Sequence, residues 1–145
     1  MTDTTDRKKF LHAIKKCLSD AHGFFSEAMD ILDEMNRASI ATGMTPLVGG
    51  YAMKNEDNMY RDALFSVDAA EKALQPLAKR FNDGRVNASH FEGEETMIQL
   101  KDLLEFNYGM LVALLSERKG RETVWYRLKE LSEKTESIFR SVSND

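Results

Sequence analysis

The sequence predicts an all-α fold, a four-helix bundle, and three observations carry that prediction. Apolar residues recur at alternating steps of three and four in four separate stretches, the spacing that gathers them on one helix face. No stretch shows the every-second-residue alternation of a half-buried strand. Only two prolines and eight glycines interrupt 145 residues, which favours long helices over many short strands. The length fits one domain, residues 1–145, with loose ends at 1–5 and 143–145.

The first helix is predicted over Asp6–Arg37, roughly 45–50 Å long at 1.5 Å per residue. Its apolar row is Leu11, Ile14, Leu18, Ala21, Phe25, Ala28, Leu32 and Met35, with Phe10, Cys17, Phe24, Ile31 and Ala38 beside it at steps of seven. Gly23 is its weak point, costing about 1 kcal/mol relative to alanine. A second helix over about 55–82 repeats the pattern at Tyr60, Ala63, Val67, Ala70, Leu74, Leu77 and Phe81. Glu56 and Asp57 at its start and Lys79 and Arg80 at its end suit the helix dipole. Pro76 inside it predicts a kink without a break, and Asp83-Gly84 a stop.

For the third helix, Ser89 and Glu92 have capping-box spacing, and Glu94 and Glu95 add negative charge to the first turn. Its row is Met97, Leu100, Leu104, Asn107, Leu111 and Leu114, flanked by Leu103, Tyr108, Met110 and Leu115. Gly120 reads as a left-handed cap, because the apolar phase slips there; the alternative is one rod running through it. The fourth helix carries Val124, Leu128, Leu131, Thr135, Ile138 and Val142. Its outer face offers the pairs Lys129–Glu133, Glu130–Lys134 and Glu136–Arg140, each worth a few tenths of a kcal/mol. Trp125 and Tyr126 are expected to cover the bundle end. Short joints at 83–88 and near 120 make the later helices antiparallel neighbours. The long joint at 39–54 allows either direction for the second helix, and an antiparallel up-down-up-down order is favoured.

Composition excludes several functions. A net charge of −4 and a pI near 5.5 argue against a general nucleic-acid binder. No apolar run approaches the roughly 18 residues of a membrane span, and no helix pairs a strongly basic face with an exposed apolar one. The single cysteine, Cys17, excludes an internal disulfide and a multi-cysteine zinc site. The polar, acidic start does not read as a secretory signal. A cytoplasmic protein with a reduced thiol is the resulting expectation.

Catalytic groupings do not emerge. His12, His22 and His90 form no Glu-x-x-His or HExxH pattern, and neither Walker A nor GxSxG occurs. The acidic stripe Asp20, Glu27, Asp30 and Glu34 reads as a solvated face, and Cys17 as a small buried hydrophobe. No catalytic residue, cofactor or metal is therefore assigned.

Two stretches stand out. The joint at 39–54 holds three of the eight glycines and one of the two prolines, yet also carries Met44, Leu47, Val48, Tyr51 and Met53, with Met59 nearby. Long connections of this kind are often binding loops, and methionine suits adaptable surfaces. The second stretch, 106–115, is apolar nearly all round, and such a helix is normally covered all round. Phe106 and Ala113 fall on the side away from the core with Gly109 close by, and together with Met110 they are the candidate homo-oligomer interface. Asn107 is predicted on the core face, setting register. The expected function is non-enzymatic, through protein–protein contacts as a homodimer. The alternative is a small-molecule or cofactor-binding bundle, possibly an enzyme, with its pocket under the 39–54 loop.

Overall fold

The chain is all-helical, and the computed structural model has five α-helices among the described residues: α1 Thr2–Met44, α2 Gly49–Asn82, α3 Thr96–Glu105, α4 Tyr108–Leu115 and α5 Arg118–Ser141. The structure describes the backbone of residues 2–44 and 49–144, and the side chains of 5–36, 58–117 and 119–144.

The predicted apolar rows form the core. All eight α1 residues from Leu11 to Met35 are buried, and Phe10, Cys17, Phe24 and Ile31 pack half-buried along their edge. In α2, Ala63, Val67, Ala70, Leu74 and Leu77 are buried, with Tyr60 and Phe81 half-buried at the two ends of the row. The α5 row is buried at every position from Val124 to Val142, including Thr135, whose hydroxyl donates to the Leu131 carbonyl at 2.6 Å. That bond removes the cost of an unsatisfied buried hydroxyl. α1 packs on α2 and α5, α5 on α3 and α4, and α2 on α4.

The helices outrun their predicted ends. α1 starts at Thr2 and continues to Met44, and α2 begins at Gly49, so most of the stretch expected as a long joint is helical. A glycine inside a helix costs only about 1 kcal/mol, so Gly43, Gly49 and Gly50 are penalties and not stops. Pro46, the stronger breaker, lies outside the described residues. α2 also continues through Pro76, which is exposed, to Asn82. Gly84 then adopts the left-handed φ of 77° that the predicted stop needs.

Three other local readings are corrected. Ser89 caps nothing: Asn87 is the cap of a short 3₁₀ turn at Ala88–His90, its side chain accepting from the Ser89 N–H at 3.0 Å. Gly93, with φ 95°, breaks any helix running on from there, and α3 starts only at Thr96. The third predicted helix is also two helices, split at Phe106-Asn107. Finally, Gly120 is no cap. It lies buried inside α5, where a Cβ would overlap the Leu114 carbonyl, so it permits a close approach of backbones.

The segment between α2 and α3 is fastened to the end of α5. The Glu92 N–H donates to the Ser141 carbonyl at 2.6 Å and the Ser143 N–H to the His90 carbonyl at 2.8 Å, forming an isolated antiparallel bridge between Phe91 and Val142. Ser143, in the stretch expected to be loose, takes part in this pairing. Lys15 adds a bond from its ammonium to the Asn144 side-chain oxygen at 3.1 Å.

Candidate functional site

The break between α3 and α4 creates the surface of most interest. Ending α3 at Glu105 frees the Leu103 carbonyl, which a continuous helix would have bonded to the Asn107 N–H. Tyr108 takes it, its hydroxyl donating at 2.9 Å. The Tyr108 ring lies stacked 6.2 Å from Phe25 of α1 and edge-on to Phe106 at 5.2 Å. Burial pushes the phenol pKa well above its ordinary value, with Glu71 adding to the shift, so Tyr108 stays a neutral donor.

Asn107 is exposed and not in the core. It caps α4, its side-chain oxygen accepting from the Met110 N–H at 3.3 Å. A Cβ on Gly109 would lie 3.2 Å from that oxygen, so Gly109 keeps room for the cap. Phe106 turns back into a half-buried position against Tyr108, because the break rotates it off the outer face predicted for a continuous helix.

α4 is left with an uncovered apolar side. Tyr108, Leu111 and Leu115 are buried, whereas Gly109, Met110, Val112 and Ala113 are exposed, Met110 at 39% and Val112 at 40%. Gly109, Met110 and Ala113 are three of the four residues that the sequence offers as an interface. Val112 was missed, although it lies in the same apolar run. Beside the break, a cleft of about 370 Å³ opens between α3 and α5. Phe106 and Leu131 line it with charged groups around them, including Arg127 paired to Glu130 at 3.3 Å and Lys134 near Asp102 at 3.9 Å. The sequence paired Lys134 with Glu130 instead; of the three predicted pairs, Glu136–Arg140 forms, at 2.6 Å.

Of the candidate loop residues, Met44, Leu47, Val48, Tyr51 and Met53 lie outside the described side chains, and Met59 packs half-buried against the core. The acidic stripe on α1 is exposed along its length. Among the described residues, no three His, Cys, Asp or Glu side chains come together as a metal site. The half-buried Cys17 thiol has its pKa raised by desolvation, which opposes reactivity as a nucleophile. Trp125 packs half-buried against the core with Tyr126 edge-on at 5.2 Å, though Tyr126 itself is 55% exposed.

No family model, curated protein or solved structure matches the chain. Among the described residues, no helix is long and apolar enough to cross a membrane.

Proposed function

We propose that this chain is a non-enzymatic helical-bundle protein that acts through protein–protein contacts, as a homodimer joined across α4. One observation carries the reading: α4 bears no charged side chain, and half of its residues are exposed. The centre of a homodimer interface is typically apolar and poor in charge. A two-fold contact presents one patch to its own copy, and Gly109 and Ala113 would let the two helices approach closely. α4 spans only about 12 Å, so the contact would draw on flanking surface to reach the roughly 1,000 Å² of a stable interface. A cytoplasmic setting, with Cys17 reduced, suits this reading.

Light scattering after size exclusion of the full chain tests the proposal. The expected mass at micromolar concentration is twice the 16.5 kDa of one chain. Met110→Lys should return the protein to monomers with unchanged far-UV circular dichroism. A monomeric unmodified chain would sink the dimer, and a small molecule retained in native mass spectrometry would support the ligand-binding alternative.

The same reading includes an antiparallel bundle. Arg80, near the end of α2, sits 5.5 Å over the ring of Phe10, near the start of α1, and Lys15 bonds to Asn144 beyond the end of α5. Arg121, early in α5, lies 5.8 Å over the ring of Tyr60, early in α2. Spin labels at Asp6 and Asp83 should give a distance below about 25 Å. Parallel α1 and α2 would separate them by about 50 Å, the length of α2 at 1.5 Å per residue.

A further inference from the structure

The two longest charged faces of the bundle, on α5 and α1, are built differently. On α5 opposite charges alternate and pair within the helix, Arg127 with Glu130 at 3.3 Å and Arg140 with Glu136 at 2.6 Å. On α1 they are segregated. Residues 7–16 hold five lysines and arginines and no Asp or Glu, whereas residues 17–36 hold five Asp and Glu and no Lys or Arg. Segregation costs helix stability, since Glu27, Asp30 and Glu34 stand three and four residues apart with like charge.

Four of these residues share one line. At about 100° per residue, Lys9, Lys16, Glu27 and Glu34 fall within about 20° of one another, on the side away from the buried row. All four are exposed, and none has an ion-pair partner among the described residues. Their spacing is symmetric: seven residues from Lys9 to Lys16, eleven to Glu27 and seven to Glu34. A two-fold axis at the level of Ala21 and His22 therefore carries each lysine onto the level of a glutamate. Beside that axis stands Gly23, exposed, where an added Cβ would meet nothing within 4 Å, so two backbones can approach closely.

We propose that this line is a docking face for a second copy of the chain, laid antiparallel. Lys9 then meets the partner's Glu34 and Lys16 the partner's Glu27, and symmetry repeats both pairs. A second copy is the occupant because the pattern complements itself, whereas docking in parallel register would set like charges opposite. Asp20 fits least well, since it nears its own copy across the axis. The contact is separate from α4, which packs on α2 and α5, and it goes beyond the dimer proposed above. The line spans about 38 Å at 1.5 Å per residue. Exposed ion pairs are individually weak and screened by salt, so the contact is transient and belongs to low ionic strength.

The test uses the full chain carrying Met110→Lys, which removes any α4 contact and lets the two readings fail separately. At high micromolar concentration and about 20 mM NaCl, light scattering should give a mass rising from 16.5 kDa toward twice that value, and about 300 mM NaCl should reverse the rise. Lys9→Glu with Lys16→Glu should abolish it, and so should Glu27→Lys with Glu34→Lys. An equimolar mixture of these two double variants should restore it, because every facing pair is again opposite in sign. Asp20→Asn should tighten association by removing the like-charge approach. Carbodiimide coupling of isotope-labelled with unlabelled chains reads the same contact with α1 unmodified. It should join Lys16 of one chain to Glu27 of the other; within one helix the two lie about 16 Å apart along the axis, too far for a zero-length link. A mass independent of salt would overturn the proposal. So would a mixture that stays monomeric while both variants keep their helicity, or the lack of Lys16–Glu27 links between chains.

Discussion

At Gly23 an added Cβ would meet nothing within 4 Å, whereas at Gly120 it would run into the Leu114 carbonyl. Both glycines lie inside helices, so both carry the same conformational cost in the folded chain. The surroundings decide the outcome. Gly23→Ala removes the backbone penalty at an exposed site and should raise stability by about 0.5–1 kcal/mol. Gly120→Ala gains the same propensity but forces backbone apart where α4 meets α5, and should lower stability by about 1–3 kcal/mol. Urea unfolding followed by circular dichroism measures both. A neutral Gly120→Ala would mean that the α4–α5 joint relaxes freely. Gly23 was readable in the sequence as a weak point, because propensity is local. Gly120 was misread as a left-handed cap, because sequence position alone cannot distinguish a special φ from crowding by another element.

At the scale of elements, the periodic rows of α1, α2 and α5 were legible because their cores face one way over many turns. The split of the third helix was not. Its apolar row continues through Asn107 without a proline or a long polar run, so nothing in the pattern marks a stop. Asn107 can end one helix and cap the next only because Tyr108 supplies the Leu103 carbonyl with a donor and anchors on Phe25, 83 residues earlier. Tyr108→Phe should therefore cost about 1–2 kcal/mol, since it leaves a buried carbonyl unsatisfied while keeping the ring. Asn107→Ala should cost about 1 kcal/mol through the lost cap, and Asn107→Asp much less. Chemical denaturation distinguishes these cases; a Tyr108→Phe variant as stable as the unmodified chain would show that water satisfies the carbonyl. The apolar exposed side of α4 was legible for a simpler reason: eight nonpolar neighbours on a helix cannot all face one core.

At the scale of the whole molecule, the three longest helices and the 83–95 segment meet at one end, and His90 is where they are tied. Its ring packs 4.9 Å from Phe10 of α1, its carbonyl accepts from Ser143 beyond α5, and its Nδ1 accepts from the Asn87 N–H at 3.2 Å. Arg80 of α2 lies over the same Phe10 ring. In the sequence His90 is one of three histidines outside any catalytic pattern, and only the chain's return past α5 reveals its burial. Desolvation, followed by the nearby Arg7 cation, lowers the His90 pKa below its ordinary 6.5. The unfolded chain therefore takes up a proton at this site at a higher pH than the folded chain does. Stability from a neutral His90 is complete above about pH 6.5 and falls as pH drops from there toward the folded pKa. The loss has a limiting slope of about 1.4 kcal/mol per pH unit for one proton. The urea midpoint should thus be lower at pH 5.5 than at pH 7.5, and His90→Gln should flatten that difference even if it lowers stability at both values. A His90→Gln variant that keeps the full slope would place the linked proton elsewhere.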